Sequence, residues 1–336
     1  MSDILVFSNC WLKSKSSVIE VERLQKNYLQ SAWFNEGLNK QILARGSRMI
    51  DAADIKFYHD NGYMLVKKLF GQDKITKGLI AIDEILLRND ADKNSEKEPK
   101  DSTVVRRIWS PTQKHETFVE LAEDKQLLDV VQSLIGENIL FHYSKLNMKG
   151  PRVGSIVEWH QDFSYYPHTN TDLLTALIFL DDANKENGCL RVIPGSHRKG
   201  LLSHDIDGFF RGKLSDVDEE DAVYIEAEAG DVLFLHCLCM HASAVNSSPV
   251  PRRTFLPAYR SADAFPIYFG PHAAHNEAGI KLLRGQVSRQ ARVDSGIHYL
   301  PIARSEFGSI YEVQEGSHES KSVDVTCSPL ISTPRC

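Results

Sequence analysis

The sequence predicts a mainly β fold, a sandwich or barrel, with flanking α-helices. Short apolar runs recur between residues 139 and 259, turn signals such as Asn187-Gly188, Pro194-Gly195 and Ala229-Gly230-Asp231 separate them, and helical periodicity is confined to the region before them.

The helices come first. Val21 to Leu43 has apolar residues at mixed helical spacing, broken by Gly37, which reads as one or two short helices in an N-terminal extension of residues 1–50. Ile55 to Tyr63 reads as a helix closed by Gly62, and Tyr63 to Lys68 as a strand. Asp73 to Leu87 is an amphipathic helix. Asn89 to Ser102 is dense in charge and reads as a solvated loop, with a lid as a further option. Phe118 to Ile135 reads as one helix whose stripe is Leu121, Leu127, Leu128, Val131 and Leu134, ended by Gly136.

The strands follow. Ile139 to Met148, Ile156 to Asp162, Leu173 to Leu180, Leu190 to Ile193, Ala222 to Glu226, Val232 to Cys237 and Thr254 to Tyr259 all show strand composition. Residues 200–221 read as an insertion of mixed polarity. Residues 276–336 form a C-terminal extension whose last 25 residues, rich in Ser, Thr and Pro, read as a disordered tail.

The 336 residues carry a formal net charge of -6, with no basic excess of the kind a nucleic-acid surface needs. No apolar run reaches the roughly 18 residues that span a bilayer, and no signal-peptide pattern is visible, so a cytoplasmic protein is expected. Six cysteines show no disulfide framework. The Cys237-Leu238-Cys239 pair reads as two small buried side chains rather than a soft-metal site, because no second cysteine pair lies nearby.

Chemistry concentrates at His160, Asp162 and His241. Residues two apart on a strand share a face, so His160 and Asp162 can reach one metal ion. Two imidazoles and one carboxylate suit Fe(II) and leave the opposite positions open for a chelating cosubstrate and O2. His236, His197, His204 and His168 compete for the third position, but His236 falls on the wrong face if its strand runs on regularly to His241. Arg252 and Arg253 are alternative clamps for a carboxylate, and local spacing does not choose between them. Ser243 or Thr254 can add a hydroxyl. Tyr165, Tyr166, His168, Arg106, Arg107 and Trp109 are candidates to line a pocket or its entrance; the two arginines can equally pair with the acidic segment before them.

At these residues the chain resembles the phytanoyl-CoA dioxygenase (PhyH) family of Fe(II)/2-oxoglutarate enzymes. The blocks that carry the resemblance run in the family's order: Ile55 to Leu69, His160-Gln161-Asp162, Asn187 to His197, Gly230-Asp231-Val232-Leu233-Phe234, His241-Ala242-Ser243, Asn246, and Arg252 onward. The resemblance implies a double-stranded β-helix (jelly roll, cupin-like) over residues 51–275. It implies His160, Asp162 and His241 as iron ligands and Arg252, rather than Arg253, on the distal carboxylate of 2-oxoglutarate. Tyr143, Lys145 and Asn147 match a strand that faces the cosubstrate in relatives. Asp162 argues against halogenation, since family-like halogenases carry a small residue there. The expected reaction hydroxylates an aliphatic C–H of a small metabolite or natural-product intermediate, turning 2-oxoglutarate and O2 into succinate and CO2. An acyl-CoA substrate is the alternative, as are desaturation, cyclisation or epimerisation by the same oxidant. A metalloenzyme without cosubstrate and a jelly-roll binding protein are the remote readings.

Overall fold

The computed structural model describes residues 50–88, 95–99, 101–268, 279–294, 300, 301 and 314. The chain divides into two units, Met1–Arg48 and Met49–Cys336, and every described residue belongs to the second. The expected N-terminal helices lie outside the described residues, as does the C-terminal tail except for Gln314, which is buried and donates to the Gly212 carbonyl at 2.9 Å.

Helix α1 (Ala52–Asn61) starts on a capping box: the Asp51 side chain accepts from the Ala53 and Asp54 amides, and Asp54 reaches back to the Asp51 amide. It ends at Gly62, whose φ of 79° lets the chain turn into strand β1 (Tyr63–Val66). Helix α2 (Gln72–Leu87) buries Ile75, Ile82 and Ile85 on one face. The expected helix over 118–135 is two helices, α3 (Glu116–Ala122) and α4 (Lys125–Ile135). Asp124 makes the break, because its side chain caps α4 by accepting from the Gln126 and Leu127 amides.

The charged segment expected as a loop holds a strand instead. β2 (Ser95–Glu98) pairs antiparallel with β3 (Asp101–Trp109), a strand the apolar pattern does not reveal. β2 ends the sheet, where polar residues are tolerated on the open side.

The remaining strands are β4 (Ile139–Lys149), β5 (Val157–His160), β6 (Leu173–Phe179), β7 (Leu190–Val192), β8 (Asp205–Ile206), β9 (Phe209–Phe210), β10 (Val223–Ile225), β11 (Val232–His236), β12 (His241–Ser243), β13 (Arg252–Ser261) and β14 (Lys281–Arg284). The larger sheet runs β1-β11-β6-β13-β4-β3-β2, with β14 also on β4, and the smaller runs β10-β7-β12-β5. β8 and β9 form a hairpin inside the 200–221 insertion.

Strand alternation sorts the larger sheet's two faces. Leu146, Ala176, Ile178, Phe234 and Phe255 join Ile82, Phe118, Leu127 and Val131 in the core beneath the helices. Their neighbours Lys145, Asn147, Leu177, Leu235, Thr254 and Leu256 line a pocket on the other face, together with His160 and His241 of the smaller sheet. This is the expected mainly β fold with flanking helices, two antiparallel sheets in a jelly roll.

Candidate metal and cosubstrate site

β5 and β12 are antiparallel neighbours, and their register sets His160 directly opposite His241. Cross-strand partners share a face, so the two imidazoles converge, with ring centroids 4.1 Å apart. Asp162 lies just beyond β5, in the 3-10 turn Asp162–Ser164, rather than on the strand as expected. The turn still delivers its carboxylate: Oδ1 lies 3.8 Å from His160 Nε2 and 3.9 Å from His241 Nε2.

Each imidazole is oriented by a carbonyl two residues upstream. His160 Nδ1 lies 2.8 Å from the Glu158 carbonyl oxygen and His241 Nδ1 2.9 Å from that of Cys239. A carbonyl only accepts, so each Nδ1 carries the proton and each Nε2 presents a lone pair. Burial, reinforced for His160 by His241, holds both imidazoles below their ordinary range and hence neutral. Burial alone would raise the Asp162 carboxyl, but Lys145, His241 and His160 more than offset it and leave it at about 2. Thr175 Oγ1 donates to the outer oxygen, Oδ2, at 3.3 Å. Two neutral nitrogens and an anionic oxygen, all on one wall of a pocket, fit a divalent first-row metal such as Fe(II). They are the one group of three or more such residues among the described residues that can hold a metal ion.

Arg252 opens β13 opposite Lys149 of β4, is buried, and lines the same pocket. Arg253 faces the other way and is taken: its Nε and Nη2 donate to Asp181 at 2.8 Å each. The alternation that sequence spacing could not orient is fixed by that ion pair.

A profile of the phytanoyl-CoA dioxygenase (PhyH) family matches residues 58–254. The chain belongs to the phytanoyl-CoA dioxygenase family. By class it is an Fe(II)/2-oxoglutarate-dependent dioxygenase. It is 31% identical over 225 residues to a probable alpha-ketoglutarate-dependent hypophosphite dioxygenase of Stutzerimonas stutzeri, a match covering 62% of this chain and 78% of that protein. It is 30% identical over 238 residues to the peroxisomal phytanoyl-CoA dioxygenase of Homo sapiens, covering 62% and 68%. Among solved structures, apo EctD from S. alaskensis superposes with a TM-score of 0.59 at 23% identity, covering 75% of this chain and 90% of that one. The carbocyclase SnoK from nogalamycin biosynthesis gives 0.56 at 23%, covering 66% and 88%. These two likenesses show a shared fold.

In this PhyH-family chain, Lys145, Asn147, Ser243 and Arg106 also line the pocket. Tyr143 is buried against Tyr166, with ring centroids 5.5 Å apart, outside the lining. Three aromatic candidates are likewise spent on structure. Tyr165 stands edge-on to His160 at 5.9 Å and donates its hydroxyl to the Gly212 carbonyl. His168 is fully buried, its Nδ1 on the Tyr166 carbonyl. Trp109 donates Nε1 to Glu96 at 2.9 Å. None of these side chains is among the lining residues.

The other histidines have their own partners. His204 Nε2 accepts the Gln161 amide at 2.9 Å, bracing the turn between His160 and Asp162. His236 closes β11 with its ring tilted against that of His197, and Cys237–Met240 carry the chain from the larger sheet to β12 in the smaller one, so strand parity does not apply between His236 and His241. Cys237 and Cys239 are buried free thiols, and burial pushes Cys239 up to about 12, so neither offers a thiolate.

Glu98, Lys149, Arg107, Ser155 and the aliphatic wall of Val157, Leu177, Leu190, Leu235 and Leu256 also line the pocket. Sequence reading weighed Arg107 and passed over the rest. Lys149 donates to the carbonyls of Ser155 and Ala244, and burial followed by Arg252 pushes its ammonium well below the usual range. The one available signal was periodicity: Lys149 continues the odd-numbered face of β4 that carries Lys145 and Asn147.

Proposed function

We propose that this dioxygenase hydroxylates an unactivated aliphatic C–H of a small metabolite or natural-product intermediate, with His160 Nε2, Asp162 Oδ1 and His241 Nε2 as the iron ligands. The observation that carries the site assignment is the His160–His241 cross-strand pair with Asp162 beside both, in one pocket with buried Arg252. Bound iron, with 2-oxoglutarate and O2, supplies the oxidant that removes hydrogen from carbon while the cosubstrate becomes succinate and CO2.

The chain's own residues bind, orient and exclude. Arg252 pairs its guanidinium with the distal carboxylate of 2-oxoglutarate. Lys145 and Asn147 on β4, with Thr254 on β13, flank the space between Arg252 and the histidines, and Ser243 stands two residues beyond His241. The aliphatic wall keeps water from the reacting centre. Hydroxylation needs no side-chain base. Relatives by name act on hypophosphite, phytanoyl-CoA and ectoine, so likeness alone does not choose a substrate. The three described cysteines are free thiols, which fits a cytoplasmic setting.

An anaerobic optical titration of Fe(II)-loaded protein with 2-oxoglutarate tests the reading. A new visible metal-to-ligand charge-transfer band is expected, and a folded, iron-loaded sample without one contradicts the cosubstrate assignment. Alanine at His160, Asp162 or His241 should abolish iron-dependent succinate release; full turnover in all three variants refutes the ligand set. Succinate release across amino acids, acyl-CoAs and other metabolites then sorts substrates.

A further inference from the structure

The inner face of the larger sheet carries a second polar cluster, His142, His168 and Arg260, and none of the three lines the pocket described above. Consecutive residues of a strand point to opposite faces, yet the His142 and Tyr143 rings stand 5.0 Å apart. A β-bulge is the cause. Ala258 pairs with Tyr143 and Tyr259 with Phe141, so His142 is the extra residue and turns to the side of Tyr143. Tyr259 and Phe141 pack in the core beneath the helices, so Arg260, next along β13, faces inward with His142. Arg260 pairs with Leu140, which makes His142 its diagonal neighbour at about 7 to 8 Å, within reach of a long side chain. His168 enters from the loop after the turn Asp162–Ser164, its ring centre 5.1 Å from that of His142. The cluster lies at the far end of β13 from Arg252, about 27 Å along the strand.

All three side chains are buried, His142 at 1% exposure, His168 at 0% and Arg260 at 7%, and each holds a polar atom with no hydrogen-bond partner: His142 Nδ1, His168 Nε2 and Arg260 Nε. The protein fixes what two of these atoms want. His168 Nδ1 lies 2.6 Å from the Tyr166 carbonyl oxygen and so carries the proton, which leaves Nε2 a bare acceptor. Arg260 donates from Nη1 to the Ala264 carbonyl, while its Nε–H has nothing to meet. Burial pulls that guanidinium below its ordinary range, and no carboxylate offsets it. Burial also holds both imidazoles low, and the Arg260 charge lowers each of them further, so both are neutral and both lie within its field. His142 Nδ1 donates or accepts according to tautomer. A metal cation is repelled by the guanidinium, and a water molecule leaves that charge uncompensated. An oxyanion with its own hydroxyl hydrogen satisfies all three atoms. It accepts from Arg260 Nε and His142 Nδ1 and donates to His168 Nε2.

We infer that His142, His168 and Arg260 form a buried subsite for an oxyanion that carries a hydroxyl hydrogen, such as a hydroxy acid or hydrogen carbonate. The group belongs either to a free ion or to the primary substrate.

The test uses the full chain, loaded anaerobically with Fe(II) and saturating 2-oxoglutarate, and reads the melting temperature and the charge-transfer band. The probes are glycolate and hydrogen carbonate. Acetate, which has the charge without the hydroxyl, and glycolamide, which has the hydroxyl without the charge, are the comparisons. Glycolate or hydrogen carbonate should raise the melting temperature more than acetate does, and glycolamide should not raise it. Arg260→Met should weaken that binding by about tenfold or more, the effect of losing a charge-assisted hydrogen bond. His168→Asn keeps a donor for the Tyr166 carbonyl and removes Nε2, so it should bring the hydroxyl-bearing anions down to the level of acetate. No stabilisation by either anion, or equal stabilisation by acetate or glycolamide, overturns the inference, and the wild-type protein alone suffices for that result. Stabilisation that persists undiminished in Arg260→Met, or that displaces the 2-oxoglutarate band, also overturns it by assigning the anion to the iron. Succinate release then separates the two sources. Release stimulated by a hydroxy acid in wild type and lost in Arg260→Met makes the group part of the primary substrate, and binding without such stimulation makes it a free ion; either result supports the subsite.

Discussion

At the residue scale, the site is built from orientation more than from identity. His160 and His241 present Nε2 because backbone carbonyls claim Nδ1, and Asp162 presents Oδ1 while Thr175 engages its other oxygen. Thr175→Val, close to isosteric, should weaken Fe(II) binding by about tenfold or more, the usual cost of removing an outer hydrogen bond from a ligand. Equilibrium dialysis of Fe(II) against wild type and variant checks this, and equal affinities would show that Thr175 does not orient the carboxylate. The arginine pair gives a crossed prediction. Arg252→Ala should raise the 2-oxoglutarate requirement with little change in stability. Arg253→Ala should lower stability by about 1 kcal/mol, since its bidentate Asp181 pair is partly exposed and screened, and leave that requirement alone. Titration of both variants, with urea unfolding, decides it; a reversed pattern would move the clamp to Arg253. The His160, Asp162 and His241 cluster was legible in sequence, because residue type and spacing carry metal chemistry. The choice between adjacent arginines was not, because it depends on what each strand face meets, and Asp181 lies 72 positions away in the chain.

At the element scale, the departures from expectation have local causes. Apolar periodicity runs through 118–135 almost unbroken, and the stop at Asp124 comes from a side chain that caps better than it propagates. Asp124→Ala should cost about 1 kcal/mol of stability in urea unfolding, through the lost cap. A variant as stable as wild type would show that α4 holds its start by packing alone. The β2–β3 hairpin hides for a different reason. Its residues are charged because several pair with one another at a sheet edge, as Glu96 does with Arg106 and Arg107, and composition reads such a segment as solvated. Gly188 shows the opposite case, a residue whose role is visible before the fold is known. Its φ is 74° and a Cβ there would press on the Ala244 carbonyl oxygen, so the Asn187-Gly188 turn signal was sound.

At the scale of the whole molecule, burying many histidines makes stability depend on pH. Burial holds His168 and His236 at about 3 and His204 at about 4. In the unfolded chain each titrates near 6.5. Their folded values are depressed, so stability is fully present above about pH 6.5 and is lost as pH falls from there toward 3 to 4, while the unfolded chain takes up protons first. Metal-free protein should therefore melt at a lower temperature at about pH 5 than at about pH 7, a window above most carboxylate titration. His204→Gln keeps an acceptor for the Gln161 amide and should flatten part of that slope; a melting temperature constant across the window would rule out buried neutral histidines as the cause.

By itself the sequence determined the periodicities, the turns and the candidate ligand types, and from those the mainly β class, the flanking helices and the three residues, His160, Asp162 and His241, that the fold brings together. These are properties of a residue and its near neighbours. Tertiary structure alone decided which side chains share the pocket. Lys149, Glu98 and Arg107 stand together because β4 sits between β13 and β3 and each strand sends alternate residues to one face. That outcome depends on strand order and register, which pair residues far apart in the chain, and no local pattern encodes it.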